Sequence, residues 1–234
     1  MAADDLMYSE QEGKAIPMAT GVPKVFAFDS ILIGSAGIAF CDPLKYKLQD
    51  WITDFIHAQR SATDKRPKAV AEAIHAKMRE TFEPVDAIVK QGKWKSHGPG
   101  ERLVGYVVAG YTKTFTKPYI YEVGTEVNAD GCGLRYIPPI HRPDNDLRIG
   151  EDKFLLLAVD GKEPQSSLWH AFFDDILSGV TGTLPNLPEA LQDAVASCVS
   201  LIKVEAQFNP DKVGQTVNAT VIDRASRQVF FATF

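Results

Sequence analysis

The chain has 234 residues, of which 45% are hydrophobic and 24% charged, with a formal net charge of −5. That length suffices for one sizeable domain with its own core, and the negative balance argues against nucleic acid as the main partner, because phosphate binding needs a basic face. No apolar run approaches membrane-spanning length and no basic segment followed by an apolar one opens the chain, so the reading is a soluble, cytoplasmic protein without membrane association.

The opening "MAADDLMYSE" has no helix N-cap pattern and reads as the end of a strand. "KVFAFDSILIGSAGIA" (24–39) holds two short apolar runs split by Asp29-Ser30, which is hairpin chemistry. A helix is predicted next, with Asp42 as N-cap and Pro43 at the first helical position. Leu44, Leu48, Trp51, Ile52, Phe55 and Ile56 recur at helical spacing and define its buried face. A second helix follows across "RPKAVAEAIHAKMRETFEPV", with Ala69, Ala73, Ile74, Ala76 and Met78 facing inward and Pro84 ending or kinking it.

Four strands are expected in the middle: "RLVGYVVAGYT", "KPYIYEVGTE", "GCGLRYIPPI" and "DKFLLLAVDG", with a turn at Asn128–Gly131. Two more helices are expected, over "SLWHAFFDDILSG" and "LPEALQDAVASCVSLIKVEAQF"; the latter buries Leu191, Val195, Cys198, Val199 and Ile202. Two strands, "QTVNATVID" and "RQVFFATF", close the chain. Strands and helices come in adjacent pairs, ββ–αα–ββββ–αα–ββ, and alternating βαβ units are absent. A doubly wound parallel sheet is therefore excluded in favour of an α+β fold with two antiparallel sheets, arranged as a four-layer αββα sandwich in a single domain over 1–234.

The order and four of its segments resemble the proteasome-type N-terminal-nucleophile (Ntn) hydrolases, the proteasome β subunits and their bacterial relatives. "AADDLMYSE" is similar to that family's second-strand segment, and "KVFAFDSILIGSAGIA" to its lysine-led hairpin. "YVVAGY…KPYIYEVG" is similar to its central strand pair, and "EALQDAVASCVSLIKVEAQFNPDKVGQTVNATVID" to its last long helix and following strand. The resemblance implies peptide or amide bond hydrolysis by a terminal hydroxyl, usually threonine, whose own α-amine is the general base. A lysine ammonium keeps that amine neutral, a carboxylate holds the lysine, and a backbone N–H stabilises the oxyanion.

Carried over residue by residue, the resemblance assigns Asp4 to the carboxylate, Lys24 to the lysine and Gly37 to the oxyanion N–H. Asp211 in "NPDKVGQ" is a weaker match, because Gly214 stands where the family has a serine. Ser166 and Ser167 are loose matches to a serine that supports the amine. The Asp4–Lys24 spacing is a few residues long, which a surface turn at Gly21-Val22-Pro23 would absorb. No residue of the chain is assigned as nucleophile. On this resemblance the family's first strand, which should precede the AAD segment, is missing, and its loss would leave a sheet edge exposed. The resemblance also implies a homo-oligomer, as a ring or stacked assembly, with no cofactor. The alternatives are a non-catalytic structural or binding subunit of the same fold, and an unrelated α+β ligand-binding domain.

Other chemistry is weaker. The five histidines form no metal spacing: His57 and His75 read as partly buried helix positions, His97 and His141 as exposed loops. The cysteines, Cys41, Cys132 and Cys198, form no CxxC, so neither a disulfide framework nor a zinc site is indicated; Cys41 reads as a buried thiol.

Overall fold

A computed structural model describes residues 1–4, 6–11, 14–41, 44–93, 97–112, 118–142, 148–149, 155–156, 189–208, 210, 213–223 and 226–234. The chain forms two compact units, Met1–Ala27 with Asp144–Phe234, and Phe28–Pro143.

The first unit carries β1 (Ala2–Asp4), the hairpin β2 (Met7–Gln11) and β3 (Lys14–Ala19), the short strands β11 (Arg148–Ile149) and β12 (Leu155–Leu156), helix α3 (Glu189–Phe208), and strands β13 (Val217–Ile222) and β14 (Val229–Thr233). Its five-stranded sheet has the order β11-β12-β1-β13-β14. β1 runs antiparallel to β13, with Ala2 opposite Ala219 and Asp4 opposite Val217. Ala2 and Ala3 are each 1% exposed, and such small side chains let helix α3 pack closely on the middle of the sheet. Its core joins Ala2, Val195, Val199, Ile202, Val217 and Ala219. The apolar face read from the sequence as Val195, Cys198, Val199 and Ile202 is buried as expected; the side chain of Leu191 lies outside the described residues.

The second unit holds β5 (Ile31–Gly37), the pair β6 (Phe40–Cys41) and β7 (Tyr46–Lys47), helices α1 (Leu48–Arg60) and α2 (Pro67–Lys90), and strands β8 (Arg102–Tyr111), β9 (Pro118–Val127) and β10 (Leu134–Arg142). Its sheet has the order β10-β9-β8-β5-β4, in which β4 is Val25–Phe28. Asp29 takes φ +49° in the turn between β4 and β5, as Asp tolerates there. Helix α2 packs on β8, β9 and β10, and Trp51 of α1 stacks on Tyr106 of β8 with ring centroids 5.2 Å apart.

The fold is α+β with antiparallel sheets, as expected, and four local expectations need correction. Helix α1 starts at Leu48, not at Pro43: Lys45 has φ +53°, which interrupts a right-handed helix, and Tyr46 instead pairs with Cys41 in a two-stranded ladder. Asp42 and Pro43 themselves lie outside the described residues. Helix α2 does not end at Pro84 but continues to Lys90. Pro84 is exposed, on the solvent side of the helix, where a lost backbone hydrogen bond costs least, and its neighbours Phe82 and Val85 are fully buried and hold the turn in place. The inward stripe of α2 is Val70, Ala71, Ile74, Met78, Phe82, Val85 and Val89. Ala76 is exposed and Ala69 and Ala73 lie at the margin, because the larger side chains take the core. His57 is exposed rather than partly buried.

The β2–β3 hairpin was not foreseen. Of "DKFLLLAVDG" only 155–156 is described, and "SLWHAFFDDILSG" lies wholly outside the described residues. Beside β1, the edge expected to be open carries β12, with Ala2 opposite Leu155. Among the described residues no helix is long and apolar enough to cross a membrane.

Candidate functional site

Asp4 closes β1. Its partner strand and the packing of α3 draw it inside, and it is 1% exposed. A carboxylate buried to that degree is costly unless donors surround it. Three do. Its Oδ1 accepts the backbone N–H of Leu6 at 2.9 Å and that of Gly214 at 3.1 Å. Lys24 donates from Nζ to Oδ1 at 2.9 Å and to Oδ2 at 3.0 Å. The lysine side chain keeps 21% of its surface exposed, so the pair has one buried and one partly exposed member. Twenty residues apart in sequence, the two meet because the β2–β3 hairpin returns the chain from the end of β1 to the start of β4. The extra residues between them are thus a hairpin and not only a surface turn.

The structure therefore brings together Asp4 and Lys24 of the residues picked out by sequence. Gly37 belongs to the second unit, at the end of β5. Its φ is +92°, and a Cβ there would stand 2.3 Å from the Leu103 carbonyl oxygen. Close backbone approach alone accounts for a glycine at this position. Asp211, Ser166 and Ser167 lie outside the described residues.

Sequence reasoning noted Gly214 only as a missing serine, yet its main chain is the third arm of the Asp4 cluster. A backbone donor leaves no trace in residue type, so the only signal was a glycine just ahead of an apolar strand. Leu6, 5% exposed, was missed for the same reason. Among the described residues no group of three or more His, Cys, Asp or Glu side chains could hold a metal ion.

The arrangement can do two things chemically. It fixes an ammonium against a buried counter-charge, which sets the local field at Lys24. It also ties together three segments, the end of β1, the residue before β4 and the stretch before β13.

No family model and no curated protein matches the chain. Among solved structures it is similar to a mutant of Anbu from Hyphomicrobium sp. strain MC1, at 12% identity over 99% of this chain and 81% of that one, with a TM-score of 0.48. It is also similar to Anbu (ancestral beta-subunit) from Yersinia bercovieri, at 11% identity over 98% and 75% of the two chains, with a TM-score of 0.46. The assignment to the proteasome-type Ntn hydrolases that the motifs suggested is thereby corrected: the solved structures the chain is similar to are Anbu proteins, and a likeness at 11% and 12% identity gives the chain neither a family nor a mechanism.

Proposed function

We propose that the protein hydrolyses amide bonds, with Lys24 supplying the positive charge for a terminal hydroxyl nucleophile in the form of the protein that presents one beside it. The observation that supports this is that both carboxylate oxygens of the buried Asp4 accept from the Lys24 ammonium, while Oδ1 also takes the Leu6 and Gly214 N–H groups. A fixed ammonium disfavours protonation of a nearby amine, leaving that amine free to take the proton of the attacking hydroxyl. The hydroxyl adds to the amide carbonyl, the C–N bond breaks as the protonated α-amine passes that proton to the departing amine, and the resulting ester is hydrolysed by water to release the acid and restore the hydroxyl. The substrate class is a peptide or other amide, and the proposed setting is the cytoplasm, as a homo-oligomer. Each unit supplies a helix layer on an antiparallel sheet, which is what the four-layer sandwich requires of its halves. A single domain over 1–234 would unfold in one cooperative transition.

The test begins with the intact mass and N-terminal sequence of the protein from its native cell, followed by a panel of fluorogenic peptides. Lys24→Met should lower turnover by roughly a hundredfold or more, while Lys24→Arg keeps the ion pair and the fold. Turnover unchanged in a folded Lys24→Met variant would remove Lys24 from the chemistry.

A second reading, a non-catalytic subunit, is favoured by a specific observation: the donors on Asp4 come from three separate segments, as in a clasp that only holds the fold. Absence of a terminal hydroxyl or thiol in the native protein, with no peptide turned over, would select it.

A further inference from the structure

The two five-stranded sheets contrast at β10 and β14, each an outer strand of its own sheet. The outer strand of the second, β10, carries Pro138 and Pro139 and a register break between Ile137 and Ile140. Proline removes donors and a bulge bends the strand, so this edge is blunted against further pairing. The outer strand of the first sheet, β14, reads VFFAT, with no proline, no charge and an unbroken register along β13. Phe231 at its centre is 71% exposed, while the other face of the strand, Phe230, Ala232 and Phe234, packs on the core.

The hydrogen-bond phase of β14 says which of its groups point outward. Phe234 and Val217 exchange both backbone bonds, at 2.9 and 3.0 Å, and the Asp223 N–H donates to the Gln228 carbonyl at 2.9 Å. Bonded positions alternate along an antiparallel strand, so Phe230 and Ala232 also face β13. Val229, Phe231 and Thr233 then turn their N–H and C=O groups away from β13, to an edge that no other strand pairs among the described residues.

Those three positions form a self-complementary set. In an antiparallel pairing of β14 with itself about Phe231, Phe231 faces Phe231 of a second copy as a doubly bonded pair. Val229 faces Thr233 and Thr233 faces Val229, again as doubly bonded pairs. Between them, Phe230 faces Ala232, large against small. Every outward group finds a partner, aromatic meets aromatic, and β-branched meets β-branched, which are favourable cross-strand pairs. An edge without charge or proline offers nothing to oppose such pairing.

We propose that β14 is a self-pairing edge, through which two copies of this chain join their first sheets about a two-fold axis at Phe231. The pairing is isologous and therefore closes as a dimer instead of propagating. It is independent of the hydrolytic reading.

The test is sedimentation of the full chain together with two variants. The wild type should sediment as a dimer at tens of micromolar. Phe231→Lys sets like charges directly opposite each other across the axis and should weaken the dimer by at least about tenfold, with an unchanged circular dichroism spectrum. Phe231→Cys, made with Cys132→Ser to remove the exposed thiol, should cross-link to a dimer under mild oxidation, because a bonded cross-strand pair lies within disulfide reach. This second variant decides the matter if Phe231→Lys does not fold. A monomeric wild type, an assembly unaffected by Phe231→Lys, or a folded Phe231→Cys variant that does not cross-link would each overturn the proposal.

Discussion

Asp4 places both backbone donors, Leu6 and Gly214, on its Oδ1, and shares Lys24 between Oδ1 and Oδ2. This division predicts an ordering of variants. Asp4→Asn keeps an oxygen for the two amides and loses only the ionic partner. Asp4→Ala leaves two buried N–H groups unbonded. The alanine variant should cost roughly 2–4 kcal/mol and the asparagine variant about half of that. Urea unfolding midpoints would show it; equal losses would mean that the backbone donors find water and that the cluster is less enclosed than its burial implies.

Gly37 gives a sharper case. A methyl at this position meets the Leu103 carbonyl oxygen at 2.3 Å and Val104 Cα at 2.9 Å, and both are backbone atoms that cannot rotate away. The positive φ adds a further penalty for any L side chain. Gly37→Ala should therefore destabilise the chain by about 3 kcal/mol or more. Gly21, also at positive φ but with open space around the added Cβ, should lose only about 1 kcal/mol as alanine. Thermal unfolding of the two variants side by side separates steric exclusion from φ strain. Near-normal stability of Gly37→Ala would show that β5 and β8 separate easily.

In the second unit, Glu122 on β9 is held by Arg102 at 2.6 Å and by Arg142 at 2.7 Å. Burial pushes its pKa up, but the hydrogen bonds and charges of Arg142 and Arg102 outweigh burial and hold it below the ordinary carboxylate range. A carboxyl depressed on folding contributes stability above its unfolded pKa, about 4.3, and loses it as the pH falls through that value to the folded one. Glu122→Gln should therefore lower stability at neutral pH and make it less sensitive to acid below about pH 4.5. The check is ΔG of unfolding between pH 3 and pH 7 for both proteins; parallel curves would place the acid sensitivity elsewhere. Asp86, also lowered although burial opposes it, bonded by Lys90 and the Leu134 N–H, would be the next residue to change.

What was legible in the sequence follows from where the signal is local. β8, β9 and β13 announce themselves by β-branched and aromatic runs, and α3 by its apolar stripe, because burial imposes a period on the residues themselves. Asp4 and Lys24 were found through motif order, and the ion pair agrees with the pairing though it does not establish a role. The misses lie where long-range contact decides. The β2–β3 hairpin contains Pro17, Glu10 and Lys14 and has no clean alternation. The start of α1 yields to a ladder that brings Tyr46 to Tyr106. Helix α2 passes Pro84 because Phe82 and Val85 are packed around it. Gly214 acts through its main chain, which residue type does not report.

The buried hydroxyls of Tyr46 and Tyr106 lie 3.0 Å apart, in a wall made by Trp51 and Phe82. Each phenol is the other's polar partner. Tyr46→Phe leaves the Tyr106 hydroxyl buried without its partner, and Tyr106→Phe does the reverse, so each should cost about 1–2 kcal/mol. The double variant removes both polar groups at almost constant volume and should recover much of the loss, giving a coupling of about 1 kcal/mol. Burial, and for Tyr106 also the charge and hydrogen bond of Tyr46, pushes both phenols up. A group whose acid form is favoured by folding supports the fold below its unfolded pKa, near 10, and withdraws that support as the pH rises beyond it. The single variants should therefore flatten the alkaline fall in stability, and the double variant should flatten it further. Tyr136, raised mainly by burial to about 12, remains in all three and leaves a residual slope. A cycle with no coupling, together with an unaltered alkaline limb, would mean that the two hydroxyls are bonded to water and not to each other.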